Sequence, residues 1–327
     1  MTRRRRLRRW AVRLLLLAAA GFALLNVLAY RHAHTFTHYD LSAARSAKPE
    51  ALSFAARARA VVVGVPVPRP ACHATPADVG LAFTSHTIDL DGESVALWHV
   101  DHPASRGVAV LGHGYASCKS DLLRDAAGFH KLGFAAVLVD FRGSGDSSGD
   151  SVTLGVREAA DLAAAVRWAE ARHPGKPVVL YGFSMGSAAV LRAVAGHGIT
   201  PAAVILEAPF DRLLNAVRHR FRAMGLPSWP GAELLVFWGG RQNSFDGFAH
   251  NPADDAAAVR CPALVLHGSA DPRAPTDGVR RVFDRLPAPK RLATVEGAGH
   301  FSLARFDRER WEAELDEFLS EVGKSAK

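Results

Sequence analysis

Residues 177–190 read Pro-Val-Val-Leu-Tyr-Gly-Phe-Ser-Met-Gly-Ser-Ala-Ala-Val. An apolar, β-branched run at 178–181 has strand length, and residues 185–195 carry a helical pattern. Only Gly182-Phe183-Ser184 separates the two. A serine held on so abrupt a strand-to-helix turn is lifted above the sheet edge, where its hydroxyl can meet a substrate. Glycine at both ends of the pentapeptide Gly182-Phe183-Ser184-Met185-Gly186 lets neighbouring backbone pass closely.

The same G-x-S-x-G spacing occurs at Gly145-Asp146-Ser147-Ser148-Gly149. Ser147 lies seven residues beyond Asp140 in a long Gly/Ser loop, with no helix expected before residue 154. It is read as a loop residue and Ser184 as the nucleophile. A serine hydroxyl needs a base, and the base needs an orienting acid. Downstream, Asp271 follows an apolar run in His-Gly-Ser-Ala-Asp, and His300 follows the last one in Gly-Ala-Gly-His. The order Ser, Asp, His along the chain, each after a strand, is the order that an α/β sheet with this turn uses. Glu207, at the end of Ile-Leu-Glu-Ala-Pro, is the alternative acid, while Asp140 is expected to fix the glycine loop after it by hydrogen bonding. The oxyanion of an acyl-transfer intermediate needs two donors. The Met185 N–H follows the nucleophile, and the second donor is expected from Tyr115 in Gly112-His113-Gly114-Tyr115. His113 is expected to pack and hydrogen-bond below the site.

Around these positions strand-length apolar runs alternate with helical patterns from residue 81 onward. Strands are expected at 81–90, 95–100, 108–111, 134–140, 178–181, 203–207, 263–267 and 292–296. Helices are expected at 121–132, 154–171, 185–195 and 307–322. The expectation is an α/β fold: an eight-stranded, mostly parallel sheet with helices on both faces. Residues 208–260 interrupt it as a small lid insertion, and Trp229, Phe237 and Trp238 within it suggest an apolar roof over a pocket, or simply rings that pack the lid on the core.

The chain has 327 residues and a net charge of +8, but the excess is local. Residues 1–31 contain eight Arg and no acid, and removing those eight from the forty basic residues leaves thirty-two, matching the thirty-two acidic ones. A neutral body has no footprint for nucleic acid. From Trp10 to Tyr30 the chain is apolar apart from Arg13 and Asn26, enough for a helix of about 30 Å, the thickness of a bilayer core. The reading is a transmembrane anchor over 1–30, an extended, proline-rich connector over 31–80 and the sheet domain over 81–327. Basic flanks stay in the cytoplasm, so the protein is expected to be single-pass, with its catalytic body on the periplasmic or extracellular side. A cleaved signal peptide is the rival, without a clean small-x-small site to support it. His32, His34 and His38 are read as a solvated segment rather than metal ligands. Three cysteines, Cys72, Cys118 and Cys261, make no disulfide framework, although one pair could oxidise outside the cell.

Together, Leu-Gly-His-Gly-Tyr, Asp-Phe-Arg-Gly-Ser-Gly, Tyr-Gly-Phe-Ser-Met-Gly, Leu-His-Gly-Ser-Ala-Asp and Gly-Ala-Gly-His resemble the α/β-hydrolase superfamily, in its serine aminopeptidase-like and esterase-like branch, over residues 80–322. The resemblance implies acyl transfer through an acyl-enzyme, with Ser184, Asp271 and His300 as triad and no metal or organic cofactor. The expected substrate is a small-molecule carboxylic ester, with a lipid-derived one favoured by the anchor, which itself contacts membrane lipid. A peptidase using the same triad and a catalytically silent, membrane-tethered binding module are the alternatives. The sequence leaves the natural substrate and the oligomeric state open.

Overall fold

The computed structural model describes residues 3–42, 64, 66–287 and 289–325. Its centre is one eight-stranded sheet in the order β1-β2-β4-β3-β5-β6-β7-β8. The strands are β1 (Thr84–Leu90), β2 (Glu93–Val100), β3 (Gly107–Gly112), β4 (Phe134–Val139), β5 (Val178–Phe183), β6 (Ala203–Glu207), β7 (Ala263–Gly268) and β8 (Lys290–Val295). Only β2 runs against its neighbours, β1 and β4; the other pairs are parallel. Parallel strands buried on both faces read as continuous apolar runs, which is why Val-Ala-Val-Leu in β3 and Phe-Ala-Ala-Val-Leu-Val in β4 could be located from sequence.

The period-two alternation of each strand sends its residues to two separate cores. Val108, Val110 and Leu180 pack with helices α3 (Glu158–Arg172) and α4 (Met185–Gly196) on one face. Ala109, Leu111 and Tyr181 pack on the other against α2 (Leu123–Lys131) and α10 (Arg308–Ser325), whose Trp311 and Leu315 are fully enclosed. Between β6 and β7 lie α5 (Leu213–Ala223), α6 (Gly231–Gln242) and the single turn α7 (Pro252–Asp255); α8 (Thr276–Arg285) joins β7 to β8, and the turn α9 (Leu303–Phe306) precedes α10.

Helix α3 begins at Glu158, four residues later than the pattern suggests. The Glu158 carboxylate accepts from the N–H of Thr153, the N–H of Gly155 and the Thr153 hydroxyl, at 2.7–2.8 Å. Leu154 and Gly155 are held at positive φ (60° and 113°), so the chain cannot be helical there.

Helix α1 (Arg3–Thr37) is 35 residues long. By length and composition it can cross a membrane. It does not stop at Tyr30: the connector expected to be extended from residue 31 is helical through Thr37. At about 1.5 Å per residue the helix is about 52 Å long, well beyond a bilayer core. Its last turns are docked. Ala29, Ala33 and Thr37 recur every four residues and are buried, which puts small side chains on one stripe. Against that stripe α6 offers Gly239, where an added Cβ would lie 3.8 Å from the Thr37 methyl. Trp238 donates from Nε1 to Asn26 Oδ1 at 3.2 Å, and its ring meets that of Tyr30 edge-on at 5.3 Å. Past the helix, Thr37–Asp40 is bound to the body as well: Tyr39 N–H donates to Asp150 O and Val152 N–H to Thr37 O, at 2.6 and 2.8 Å. Most of the remaining connector, residues 43–63 and 65, lies outside the described residues.

Candidate active site

The strand ends of β3, β5, β7 and β8 form one edge of the sheet, where open α/β sheets place their ligands. Ser184 stands between β5 and α4 at φ 52°, ψ −109°, a left-handed backbone that a non-glycine residue rarely adopts. Two glycines make the turn possible. A Cβ on Gly182 would lie 2.4 Å from the Gly186 carbonyl, and one on Gly186 would lie 2.1 Å from Gly112 O. The turn is tied to the next strand by Ser184 N–H donating to Glu207 O at 2.8 Å. Ser187 helps from below, its hydroxyl donating to Gly182 O at 2.6 Å.

After β7 the chain turns at Asp271, whose side chain is buried. Its Oδ1 accepts the N–H groups of Arg273 and Ala274 at 2.8 and 2.9 Å, and its Oδ2 lies 2.7 Å from His300 Nδ1. Burial opposes ionisation of this carboxyl, but the His300 hydrogen bond and charge, with the two N–H donors, outweigh it and hold Asp271 below the usual carboxylate range. An ionised Asp271 keeps the proton on His300 Nδ1 and so leaves Nε2 free to accept one. The His300 ring packs 5.3 Å from that of Phe183, the residue before Ser184. The structure therefore gathers Ser184, Asp271 and His300 at the same edge. Glu207, the alternative acid, points elsewhere: it is fully buried and bonded to Leu303 N–H, Tyr181 and Trp311.

Met185 opens α4, and N–H groups in a first helical turn have no acceptor within the helix. Tyr115 sits on the loop after β3, followed by Ala116 at φ 53°. His113 is buried beneath this loop. Its Nδ1 donates to Gly114 O at 2.8 Å while Nε2 accepts Phe141 N–H at 3.1 Å, and burial lowers its pKa, so it is a neutral strut. Asp140 organises the opposite side through Asp146 N–H and Lys119 N–H, both 2.8 Å away, and through the Lys119 ammonium. Ser147 is consumed in the loop, donating to Asp140 O at 2.6 Å and accepting Ala96 N–H at 2.8 Å.

Two arrangements were not visible in the sequence. The Tyr115 hydroxyl donates to Phe36 O at 2.9 Å, and the Tyr39 hydroxyl accepts Ala116 N–H at 3.2 Å, so the segment ending α1 grips the loop that carries Tyr115. Arg220 of α5 lies over the rings of both Phe36 and Tyr115, at 5.0 and 5.7 Å. The expected lid roof is also corrected. Trp229 is 76% exposed and Phe237 45%, and Trp238 faces α1 rather than a pocket, because the prolonged helix gives α6 an apolar partner outside the core. Among the described residues, donor sets that could hold a metal are Cys72, Cys118 and Asp140, and His99, Asp101 and His173.

With this strand order and this strand-to-helix turn, the chain has the α/β-hydrolase fold. A family model described as serine aminopeptidase, S33, matches residues 103–234. An uncharacterized protein of Mycobacterium tuberculosis is 29% identical over 215 residues, 64% of this chain and 69% of that one. The lysophosphatidylserine lipase ABHD12 of Mus musculus is 27% identical over 208 residues, 60% of this chain but 49% of the lipase, so the match spans about half of that protein. Among solved structures, the Pyrococcus furiosus esterase Pf2001 is similar with a TM-score of 0.66 at 24% identity, covering 78% of this chain and 96% of that one. A membrane phospholipase A described as a bacterial virulence factor follows at a TM-score of 0.55 and 18% identity, covering 76% and 92%. These structural likenesses carry the fold.

Proposed function

We propose that this protein of α/β-hydrolase fold is a serine esterase that cleaves a lipid-derived carboxylic ester at a membrane surface. The observation that carries the mechanism is the 2.7 Å contact between Asp271 and His300 at the strand-end edge where Ser184 occupies its left-handed turn. In the proposed reaction His300 Nε2 takes the Ser184 proton as Oγ attacks the acyl carbonyl, and Asp271 stabilises the resulting imidazolium. The N–H groups of Tyr115 and Met185 receive the oxyanion. His300 then protonates the leaving alcohol, and water repeats the sequence on the acyl-enzyme.

The lipid assignment is supported by the N-terminal helix. Read as a transmembrane anchor with its arginines in the cytoplasm, α1 holds the catalytic body against the outer leaflet through α6. The lid turn adds exposed apolar side chains at Met224, Leu226 and Trp229, the kind of surface that suits a lipid interface. The lipase named among the relatives points the same way.

The family model favours a second reading, a peptidase acting on a free amino terminus. The charges near Tyr115 weigh against it. Arg220 stacks on the Tyr115 ring, and Arg273 is close enough to repel it; guanidinium groups do not welcome an α-ammonium. The test is hydrolysis by full-length protein and by Ser184→Ala across a chain-length series of p-nitrophenyl esters, lysophospholipids and aminoacyl amides. The esterase reading expects long acyl esters to lead and the variant to lose at least about a thousandfold. Retention of most activity in Ser184→Ala overturns the mechanism, and faster aminoacyl cleavage overturns the substrate class.

A further inference from the structure

The three cysteines are not equivalent. Cys261 precedes β7, at the end of the sheet away from the candidate site. Cys72 and Cys118 meet beside the loop that carries Tyr115. Their sulfurs and a carboxylate oxygen of Asp140 lie within 4.8 Å of one another. Cys118 is 2% exposed, whereas Cys72 is reached by solvent. Cys72 follows Pro70 on the connector; Cys118 lies four residues past Gly114.

A metal bound by these three donors would need the space and charge already supplied by Lys119. Its ammonium pairs with Asp140 and with Asp146, and stands 4.0 Å from Cys72 Sγ. The cation is present, and what is left is a dithiol beside a fixed positive charge, in which contact with Cys118 and burial push Cys72 up while Cys118 is pulled down, so the thiolate character lies on Cys118.

We propose that Cys72 and Cys118 are an oxidation site that closes to an intramolecular disulfide, clasping the connector to the Tyr115 loop. The oxidant is a small dialkyl disulfide such as glutathione disulfide. The accessible Cys72 thiol attacks one of its sulfurs, giving up its proton as it does so, and expels one thiolate, which takes that proton, giving a mixed disulfide. Cys118 Sγ then attacks Cys72 Sγ and expels the second. Two protein thiols have lost two protons and two electrons, and one disulfide has become two thiols. Cys118 suits the resolving role, since its contact with Cys72, opposed by burial and aided by Ser120 3.2 Å away, pulls its pKa down. The bond bridges residues 46 apart in sequence, so it removes conformational freedom from the unfolded chain.

The inference does not depend on the hydrolase activity and is tested without it. Full-length protein in detergent micelles is equilibrated with reduced or oxidised glutathione, denatured in acid, alkylated with a maleimide and weighed intact. The expected count is three alkylated thiols after reduction and one after oxidation. Cys261→Ser should drop from two to none, and Cys72→Ser and Cys118→Ser should each lose the protected pair. Should either variant fail to fold, the tryptic map of the oxidised wild type decides alone, by joining the peptide of Cys72 to that of Cys118. Three free thiols in excess glutathione disulfide, or a bridge that includes Cys261, overturns the proposal.

Discussion

Glu207 accepts the backbone N–H of Leu303 on Oε1 at 2.5 Å, three residues beyond His300. The other oxygen of Glu207 takes the Tyr181 hydroxyl at 2.8 Å and Trp311 Nε1 at 3.1 Å. The same hydroxyl lies 2.8 Å from Asp125 Oδ1, which also accepts Ser302 Oγ at 2.7 Å. One tyrosine proton cannot serve two carboxylates, so the buried pair keeps a proton of its own. Burial is the largest cause, and it pushes Glu207 up to about 8 and Asp125 up to about 6. This network pins the segment 302–303 and, through it, the loop of His300.

The network has a signed consequence for stability. A carboxyl whose pKa is higher folded than unfolded binds its proton more tightly in the native state. Its contribution is complete below the ordinary glutamate value of 4.5 and is lost as pH rises through about 8. Urea unfolding midpoints of the wild type are therefore expected to fall across that window, and Glu207→Gln, which keeps the shape without the titration, is expected to flatten the curve. Identical pH profiles for the two proteins would remove Glu207 as the cause.

Replacing Asp271 by Asn changes the partner of His300 Nδ1 without changing volume. An amide can present an N–H to that nitrogen, which selects the tautomer with the proton on Nε2 and removes the base. The expected loss in kcat is about a thousandfold to ten-thousandfold, with the thermal midpoint retained within a few degrees. An effect confined to KM would show that Asp271 serves binding rather than the base.

The turn at Ser184 predicts two opposite outcomes for one kind of change. In Gly186→Ala the new methyl would stand 2.1 Å from Gly112 O, a backbone atom that cannot rotate away. The expected cost is about 3 kcal/mol or more, with loss of fluorophosphonate labelling at Ser184. At Gly196, the last residue of the same helix, nothing lies within 4 Å. There the alanine substitution should be neutral or stabilise by up to about 1 kcal/mol, since it restricts the unfolded chain. Denaturant titrations of both variants check the pair together.

The parts legible in the sequence are those that local pattern determines. Strands of the buried sheet announce themselves by continuous apolar runs, and β6 could be placed to the residue because Pro201 and the polar Glu207 bound it. The turn at Ser184 is legible because its spacing is local, with Gly182 crowded by Gly186 and Ser187, although Gly186 itself is required by the distant backbone of Gly112. The docking of α1 was not. Its stripe of Ala29, Ala33 and Thr37 is weakly apolar, interleaved with Arg31, His32 and His34, and gains meaning only when Gly239, two hundred residues away, lies against it. The protonated pair Asp125–Glu207 was equally hidden, because each residue alone reads as an ordinary carboxylate; the 2.8 Å approach of one tyrosine to both makes them a unit.

Trp238 is the place to separate anchoring from catalysis. Its indole donates to Asn26 and packs on Tyr30, both on α1, and among the described residues it makes no hydrogen bond or ring contact with Ser184, Asp271 or His300. Trp238→Ala removes that ring contact and hydrogen bond and loosens the lid helix from the anchor. If the anchor sets the lid at the membrane surface, the variant should hydrolyse a long-chain ester in phospholipid vesicles several-fold more slowly. Its rate on a short, water-soluble p-nitrophenyl ester should stay within about twofold of the wild type, because Ser184, Asp271 and His300 are untouched. Equal losses on both substrates would mean that Trp238 supports the fold of the site itself, and no loss on either would mean that the lid works without the anchor. If α1 is the anchor, a helix that continues past the bilayer and packs on α6 makes delivery and catalysis separable at Trp238.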